Sequence, residues 1–138
     1  MSRETGGPEF LSALVLERLC DTSADGRGTW RLRRSLVYLS PLAGVVRVPC
    51  GFVTDLASVP RLPFVFFLLS GYGHAAAVVH DWLYTEKPMD RETCDRVFSE
   101  ALQACGVPAW RAWLMLRGVR AFGRSNWQAP PTPQDEPA

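Results

Sequence analysis

The first third of the chain carries the hydrophobic patterns of β-strands. Residues 10–19 are rich in leucine and valine, and residues 29–39 alternate apolar side chains with arginines before a continuous apolar run. A third apolar stretch, 45–53, is interrupted by Pro49-Cys50-Gly51. Glycine, aspartate and proline, which favour turns, separate the three stretches. The pattern predicts a small antiparallel sheet whose second strand bends or bulges near Arg34.

The character of the chain changes at Asp55, where helical patterns begin. Residues 63–69 are predicted to supply one or two buried helical turns. Residues 74–84 carry alanines and valines without a helix breaker, and residues 91–105 repeat apolar positions every three to four residues. A last helix is predicted over residues 108–122. The fold class is therefore predicted to be α+β, with a small N-terminal antiparallel sheet followed by three to four packed helices.

Length and composition indicate one domain with loose ends. A chain of 138 residues has the usual size of a single domain, and 47% hydrophobic residues are enough for one core. We expect residues 1–8 to be a flexible N-terminus and residues 9–127 to form a single α+β domain. Residues 128–138 contain four prolines and no large apolar residue, so we expect a disordered tail.

The near balance of charges argues against a nucleic-acid binder. Fifteen basic and fourteen acidic residues give a net charge of +1, whereas displacing counterions from phosphate needs a basic excess. The longest apolar stretch, residues 64–69, is far shorter than the roughly 20 residues that span a bilayer, so we expect the protein not to be transmembrane. The first residues lack the apolar core of a signal peptide. The four cysteines show no C-x-x-C pair, and we interpret them as reduced, mostly buried thiols of a cytosolic protein.

The segment His80-Asp81-Trp82-Leu83-Tyr84 is the sharpest chemical feature. His80 and Tyr84 are four residues apart and share a helix face, while Asp81 lies one helical step round. The residues before His80 are wholly apolar, so the imidazole enters at the edge of a buried segment. Desolvation keeps an imidazole neutral, which is the form that a general base needs. His80 is therefore the predicted catalytic residue.

A second acid is placed by the geometry of two helices. If the helices over 74–84 and 91–105 pack antiparallel about Lys87, Asp95 comes level with His80. An aspartate bonded to one ring nitrogen fixes the tautomer and leaves the other nitrogen able to take a proton from water. Asp81 would then be available to hold a cation or a polar group of the substrate. The alternative is that the histidine and the aspartate, with a nearby tyrosine, form a buried network that only holds the helices together.

Three further residues are candidates for a substrate- or partner-facing surface near His80. Asp55 is either an acid or ligand facing His80 or, like Ser58, a cap of the following helix. Ser58 lacks the G-x-S-x-G surroundings of a nucleophile. Tyr72 lies between two glycines, in a loop whose carbonyl oxygens either bind a hard cation or simply form a turn.

Other residues of the helical part receive structural interpretations. Trp110, Trp113 and Phe122 recur at helical spacing and are assigned to the core or to helix packing. His74, at the start of its helix, is expected to be a surface or capping histidine. None of the four is assigned chemistry.

The motifs GFVTDLASVP, residues 51–60, and HDWLY, residues 80–84, resemble the phage and prophage family catalogued as domain of unknown function 1353. The resemblance extends over roughly residues 10–127. It implies a virus-derived protein encoded among late or tail-region genes and found in the host cytoplasm, the virion or both. It supplies no reaction.

A local pattern is similar to the phospholipase A2 family, and it does suggest a reaction. By this resemblance, His80 is the base that activates water and Asp81 is a calcium ligand. Asp95 orients the histidine, and Tyr84 supports Asp95. The resemblance therefore implies Ca²⁺ as a cofactor. This chain departs from that family because it lacks the cysteine framework and the glycine-rich calcium loop, and because its two helices are joined by a much shorter loop.

Two functions follow as hypotheses. The first is a small hydrolase that uses His80 on a lipid or cell-envelope ester or amide. The second is a non-catalytic virion, tail or assembly protein, partnered by phage structural proteins, in which the same residues stabilise the fold. A pocket open at His80 favours the first. A fully buried His80 bonded to Asp95, with no cavity, favours the second.

Overall fold

The computed structural model of this chain describes residues 7–20, 29–54, 74–122 and 127–128. Within these residues the chain forms strands first and helices afterwards, which confirms the predicted α+β class. The elements are β1 (Glu9–Phe10), β2 (Leu16–Cys20), β3 (Thr29–Leu32), β4 (Leu36–Ser40), β5 (Gly44–Val48), β6 (Val53–Thr54), α1 (His74–Glu86), α2 (Arg91–Ala104) and α3 (Ala109–Phe122). The helical turns predicted over 63–69 and the two chain ends expected to be loose lie outside the described residues, apart from positions at their margins.

The strands form two three-stranded antiparallel sheets, not the single sheet that the sequence predicts. Their strand orders are β1-β4-β5 and β2-β3-β6. Each predicted strand is divided, and its two halves lie in different sheets. The stretch 29–39 breaks at the exposed residues Arg33 and Arg34. The stretch 45–53 breaks at Pro49, which has no N–H to donate to a ladder.

The β4–β5 hairpin presents its apolar side to the helices. Leu36, Tyr38 and Ser40 alternate as the buried positions of β4. The Tyr38 hydroxyl donates a 3.0 Å hydrogen bond to Oε1 of Glu100 on α2, and the Ser40 hydroxyl donates to the same oxygen. The chain re-enters β5 at Gly44, whose φ of +74° is rarely adopted by residues with a side chain. The hairpin is thereby joined to α2 through polar as well as apolar contacts.

The connections between the helices are short and tightly turned. Lys87 follows α1 with a φ of +50°, in the left-handed region, and its N–H donates a 2.8 Å bond to the carbonyl of Leu83. Gly106 ends α2 with a φ of +92°. Because the linker 87–90 is so short, α1 and α2 pack against each other in opposite directions. This packing sets the two helix faces that carry the candidate site in register.

Helix α2 lies at the centre of the helical layer. It packs against α1 on one side and α3 on the other, and it also contacts β1 and β4. Its buried side chains include Val97, Phe98 and Leu102, which join the apolar faces of α1 and the β4–β5 hairpin in one core. None of the described helices is long and apolar enough to cross a membrane.

Two tryptophans of α3 lie outside the core, so their assignment to it was wrong. Trp110 and Trp113 are more than half exposed. The helix is turned so that Ala112, Met115 and Val119 face the core instead. Spacing alone gave the periodicity of α3 but not its rotation. The side chain of the third aromatic assigned with them, at position 122, lies outside the described set.

Candidate functional site

His80 is a fully buried histidine in the middle of α1. Its side chain is 1% exposed, and its ring stacks at a tilt between Phe98, with centroids 4.6 Å apart, and Tyr84, with centroids 4.2 Å apart. Burial among these rings lowers the pKa of the His80 imidazole below its ordinary value of 6.5, against the opposing effect of the hydrogen bond to Asp95. The direction of this shift keeps the ring neutral at pH 7.

Asp95 of α2 meets His80 as the helix geometry predicts. Nε2 of His80 lies 2.8 Å from Oδ1 of Asp95, and the Tyr84 hydroxyl donates a 2.6 Å hydrogen bond to the same oxygen. Both partners are held on α1, four residues apart, and the carboxylate comes from the facing helix. The predicted proximity of these three residues is therefore present in the fold, while their catalytic roles stay a prediction.

The contact with Asp95 determines the tautomer of His80. A carboxylate accepts hydrogen bonds, so we assign the ring proton of the neutral imidazole to Nε2, as the donor to Asp95. Nδ1 then carries a lone pair. Among the described residues this nitrogen has no hydrogen-bond partner, although it is buried.

Arg91 supports the carboxylate from the first turn of α2. Its Nε donates a 3.4 Å bond to the Tyr84 hydroxyl and lies 3.8 Å from Oδ2 of Asp95. Its Nη2 donates to the backbone carbonyls of Val119 and Arg120, at 3.1 and 2.6 Å, near the end of α3. Arg91 thus ties three helices together around the candidate site. This role was not predicted from the sequence, although an arginine four residues before an aspartate on a helix is a recognisable signal.

The tyrosine of this network is held in its protonated form. Burial raises the pKa of the Tyr84 phenol above its ordinary value, and the hydrogen bond to Asp95 raises it further. Its ring also meets Trp127 edge to face, with centroids 5.0 Å apart. Tyr84 is therefore a fixed donor to Asp95, and Trp127 near the end of the described chain helps to position it.

A cavity of about 260 Å³ lies beside this network, between α2 and α3. Its lining residues are Arg91, Glu92, Asp95 and Arg120. The cavity therefore reaches the aspartate and not the histidine, which the sequence analysis placed at its centre. The Oδ2 atom of Asp95 has no hydrogen-bond partner among the described residues.

Asp81 is anchored to the second sheet. The Thr54 hydroxyl of β6 donates a 2.5 Å hydrogen bond to Oδ2 of Asp81. The Thr85 hydroxyl donates to the carbonyl oxygen of Asp81 at 2.9 Å. The carboxylate of Asp81 was predicted to be available to a cation or a polar group of the substrate, and its hydrogen bond with Thr54 was not predicted. In the described part of the chain, no group of three or more His, Cys, Asp or Glu side chains is placed to hold a metal ion.

The other predicted site residues lie outside the described residues. These are Asp55, Ser58 and Tyr72, so their role as a substrate- or partner-facing surface stays a prediction. His74 is exposed at the start of α1, as expected of a surface histidine.

The three cysteines whose side chains the structure describes are not joined by disulfide bonds, but they are not mostly buried as predicted. Cys94 is buried, Cys105 is half-buried and Cys50 is exposed. Burial raises the pKa of the Cys94 thiol to about 12, so this thiol is an inert core residue.

Comparison with known proteins gives a family but no activity. The model of a family described as "Protein of unknown function (DUF1353)" matches residues 30–119. This range includes α1, α2 and every residue of the network between them. Searches of the curated proteins and of the solved structures found no match.

Proposed function

This chain belongs to the DUF1353 family of proteins of unknown function, and we propose that it is a small hydrolase acting on a lipid or cell-envelope ester or amide. The observation that carries the proposal is the state of His80. Its Nε2 is bonded to Asp95 at 2.8 Å, while Nδ1 has no partner among the described residues. A neutral imidazole oriented by a carboxylate, with its other nitrogen unpaired, is the arrangement of a general base.

In the proposed reaction Nδ1 of His80 removes a proton from water as the water oxygen attacks the carbonyl carbon of the ester or amide. The imidazolium that forms is stabilised by Asp95, which stays ionised. Nδ1 then returns the proton to the leaving alcohol or amine as the scissile bond breaks. Tyr84 donates to Asp95 throughout, and Arg91 holds Tyr84 in place. Both are positioning residues, since neither contacts the water in this scheme.

The lowered pKa of His80 fits this role. A base must be unprotonated at the working pH, and burial lowers the pKa of this imidazole below its ordinary value of 6.5. The same burial sets a requirement, because a side chain 1% exposed is closed to water and substrate. Turnover therefore requires an opening that exposes Nδ1.

A calcium ion at Asp81 is a separate part of the proposal. Asp81 lies one helical step round from His80, and a cation held by its carboxylate would polarise a substrate carbonyl bound to that cation. The described residues offer one carboxylate and no cluster of ligands, and the proton transfers above use no metal. Dialysis against a chelator, followed by titration of Ca²⁺ into the assay, tests this part alone.

The complete burial of His80 favours a second candidate function. In that reading the network only joins α1 to α2, and the protein is a structural or assembly component of a phage virion or tail. The cavity supports it too, since Asp95 lines this space and His80 does not. The phage setting rests on the resemblance of the two sequence motifs.

The test is hydrolysis by matched histidine variants. Wild type, His80→Gln and His74→Gln are assayed on phospholipid vesicles, on a soluble short-chain phospholipid and on peptidoglycan fragments. Glutamine keeps a donor for Asp95 but removes the base, and His74 is an exposed histidine on the same helix. We expect turnover by wild type and His74→Gln and a fall of about 10²–10⁴-fold in His80→Gln. No turnover by folded wild type on any substrate, or full activity of His80→Gln, would favour the structural candidate.

A further inference from the structure

Helix α3 exposes three large apolar side chains on one face. Trp110 is 58% exposed, Trp113 is 53% exposed and Leu114 is 37% exposed. At 100° per residue these three positions lie within about one third of the helix circumference. The opposite face, which carries Ala112, Met115 and Val119, is packed into the core. The exposed face therefore points away from the core.

The charges on this helix all have one sign. The sequence of α3, AWRAWLMLRGVRAF, contains Arg111, Arg117 and Arg120 and no acidic residue. The Arg111 guanidinium lies 5.2 Å from the ring centroid of Trp110, and that of Arg117 lies 4.9 Å from the ring centroid of Trp113. Each exposed indole thus has a cation beside it.

We propose that this face of α3 docks on an anionic lipid surface. Tryptophan has an apolar body and a polar N–H, and it prefers the boundary between acyl chains and headgroups. Arginines at the same level meet lipid phosphates, and a cationic helix with aromatic side chains lies flat in that interface. The 14 residues of α3 are about 21 Å long at 1.5 Å per residue, enough to rest on a membrane without entering it.

Charge complementarity selects the lipid over a second copy of the chain. A twofold dimer through this face would pack together two copies of a helix that carries arginines and no acidic residue. Like charges at that distance repel. An anionic headgroup layer supplies the opposite sign over the whole length of the helix.

The docked face borders the candidate site. Arg120 lies at the edge of the same face by helical rotation, and it also lines the cavity beside Asp95. Docking would therefore place the rim of this cavity at the lipid surface. This consequence, which names lipid as the substrate class, rests on the proposed hydrolase, whereas the docking itself does not.

Vesicle sedimentation of the full chain tests the docking. Phosphatidylcholine vesicles and vesicles of phosphatidylcholine with phosphatidylglycerol are compared, at low and high salt. We expect binding to the anionic vesicles that weakens as salt screens the arginines. Trp110→Ala/Trp113→Ala should lower the partition coefficient at least tenfold. Arg117→Glu should lower it on anionic vesicles on the order of tenfold, since each cation near such a surface adds about 1 kcal/mol.

Matched controls come from exposed residues elsewhere. Leu42→Ala/Val45→Ala removes exposed apolar side chains from the β4–β5 turn, and Arg47→Glu reverses an exposed arginine on β5. Both should bind vesicles as wild type does. Equal binding by all variants, or no binding by folded wild type, overturns the inference. So does sedimentation velocity showing a dimer that the double tryptophan variant dissociates.

The two proposals fail separately. His80→Gln should bind vesicles like wild type, because His80 is buried on α1 whereas the exposed face belongs to α3. Hydrolysis of the soluble short-chain substrate without vesicle binding would remove the docking and keep the hydrolase. Vesicle binding without hydrolysis of any substrate would keep the docking and remove the hydrolase.

Discussion

Replacing Asp95 by asparagine is the most direct test of the buried network. The carboxylate accepts hydrogen bonds from His80 at 2.8 Å and from Tyr84 at 2.6 Å on one oxygen. A bond to a charged group contributes about 1.5–3 kcal/mol, and a neutral bond about 0.5–1.5 kcal/mol. Neutralising the acceptor therefore costs about 1 kcal/mol per bond, or about 2 kcal/mol in all. The ion pair with Arg91, at 3.8 Å and partly exposed, adds little to this.

The expected result is a fall of about 2 kcal/mol in the free energy of unfolding by urea. For a chain of 138 residues this corresponds to a decrease of about 6–10 °C in melting temperature. Glu92→Gln is the matched control, because Glu92 is an exposed carboxylate on the same helix that lines the same cavity. Its change should stay within about 0.5 kcal/mol. Asp95→Asn with wild-type stability would refute the view that this carboxylate organises the two helices.

The same variant separates the two functions. An amide can present its NH₂ to the ring and favour the tautomer with the proton on Nδ1, which is the wrong one for a base. If His80 is the base, hydrolysis by Asp95→Asn should fall by about 10²–10⁴-fold at temperatures where the protein is folded. If the network is structural, only the stability changes. Loss of stability together with an unchanged rate of hydrolysis would exclude Asp95 from the mechanism.

Three further outcomes follow from the structure. Tyr84→Phe keeps the ring but removes the donor to the carboxylate, so we expect a loss of about 1–2 kcal/mol in urea unfolding; an unchanged midpoint would contradict it. Because burial lowers the pKa of His80, the unfolded chain binds more protons below pH 6.5, and stability should fall as the pH decreases from 7 to 5; this slope should persist in His74→Gln and shrink in His80→Gln. Deleting residues 129–138 should leave the melting temperature unchanged, because their composition offers little to bury, whereas Trp127→Ala should lower it by removing the ring packed on Tyr84.

The helical hairpin and its site could be predicted because the information is local. His80 and Asp95 lie almost symmetrically about Lys87, and a short turn forces such positions to face each other. The apolar periodicity of α2 gave its buried face directly. Few other arrangements of two helices with so short a linker bury both apolar faces. The contact between the histidine and the aspartate follows from this packing.

The division of the strands between two sheets could not be predicted in the same way. Alternation shows that a segment is extended and which side chains share a face, but not which strand it pairs with. The segment 29–39 looks like one bent strand, yet β3 pairs with β2 and β6 while β4 pairs with β1 and β5. Pairing partners are distant in sequence, so their choice depends on packing of the whole domain. The hydrogen bond from Thr54 to Asp81 was missed for this reason.

The buried face of α3 was predicted wrongly for a different reason. Trp113 has a larger side chain than Ala112 or Met115, yet Trp113 is exposed and the other two are buried. A helix packed against a neighbour at close range favours small or flexible side chains at the contact. Sequence reasoning that ranks residues by hydrophobicity assigns the tryptophans inward. Their exposure is what makes the face of α3 available for a partner.

The two proposed functions differ in what they require of His80. A residue needed only to join α1 to α2 could be apolar, since its ring lies between Phe98 and Tyr84, and well-packed apolar replacements of buried charged pairs are often neutral or stabilising. The chain instead has an imidazole whose Nδ1 has no hydrogen-bond partner among the described residues. A residue that only joins α1 to α2 does not need a second ring nitrogen. A general base requires it, because an acceptor already bonded within the protein could not take a proton from water.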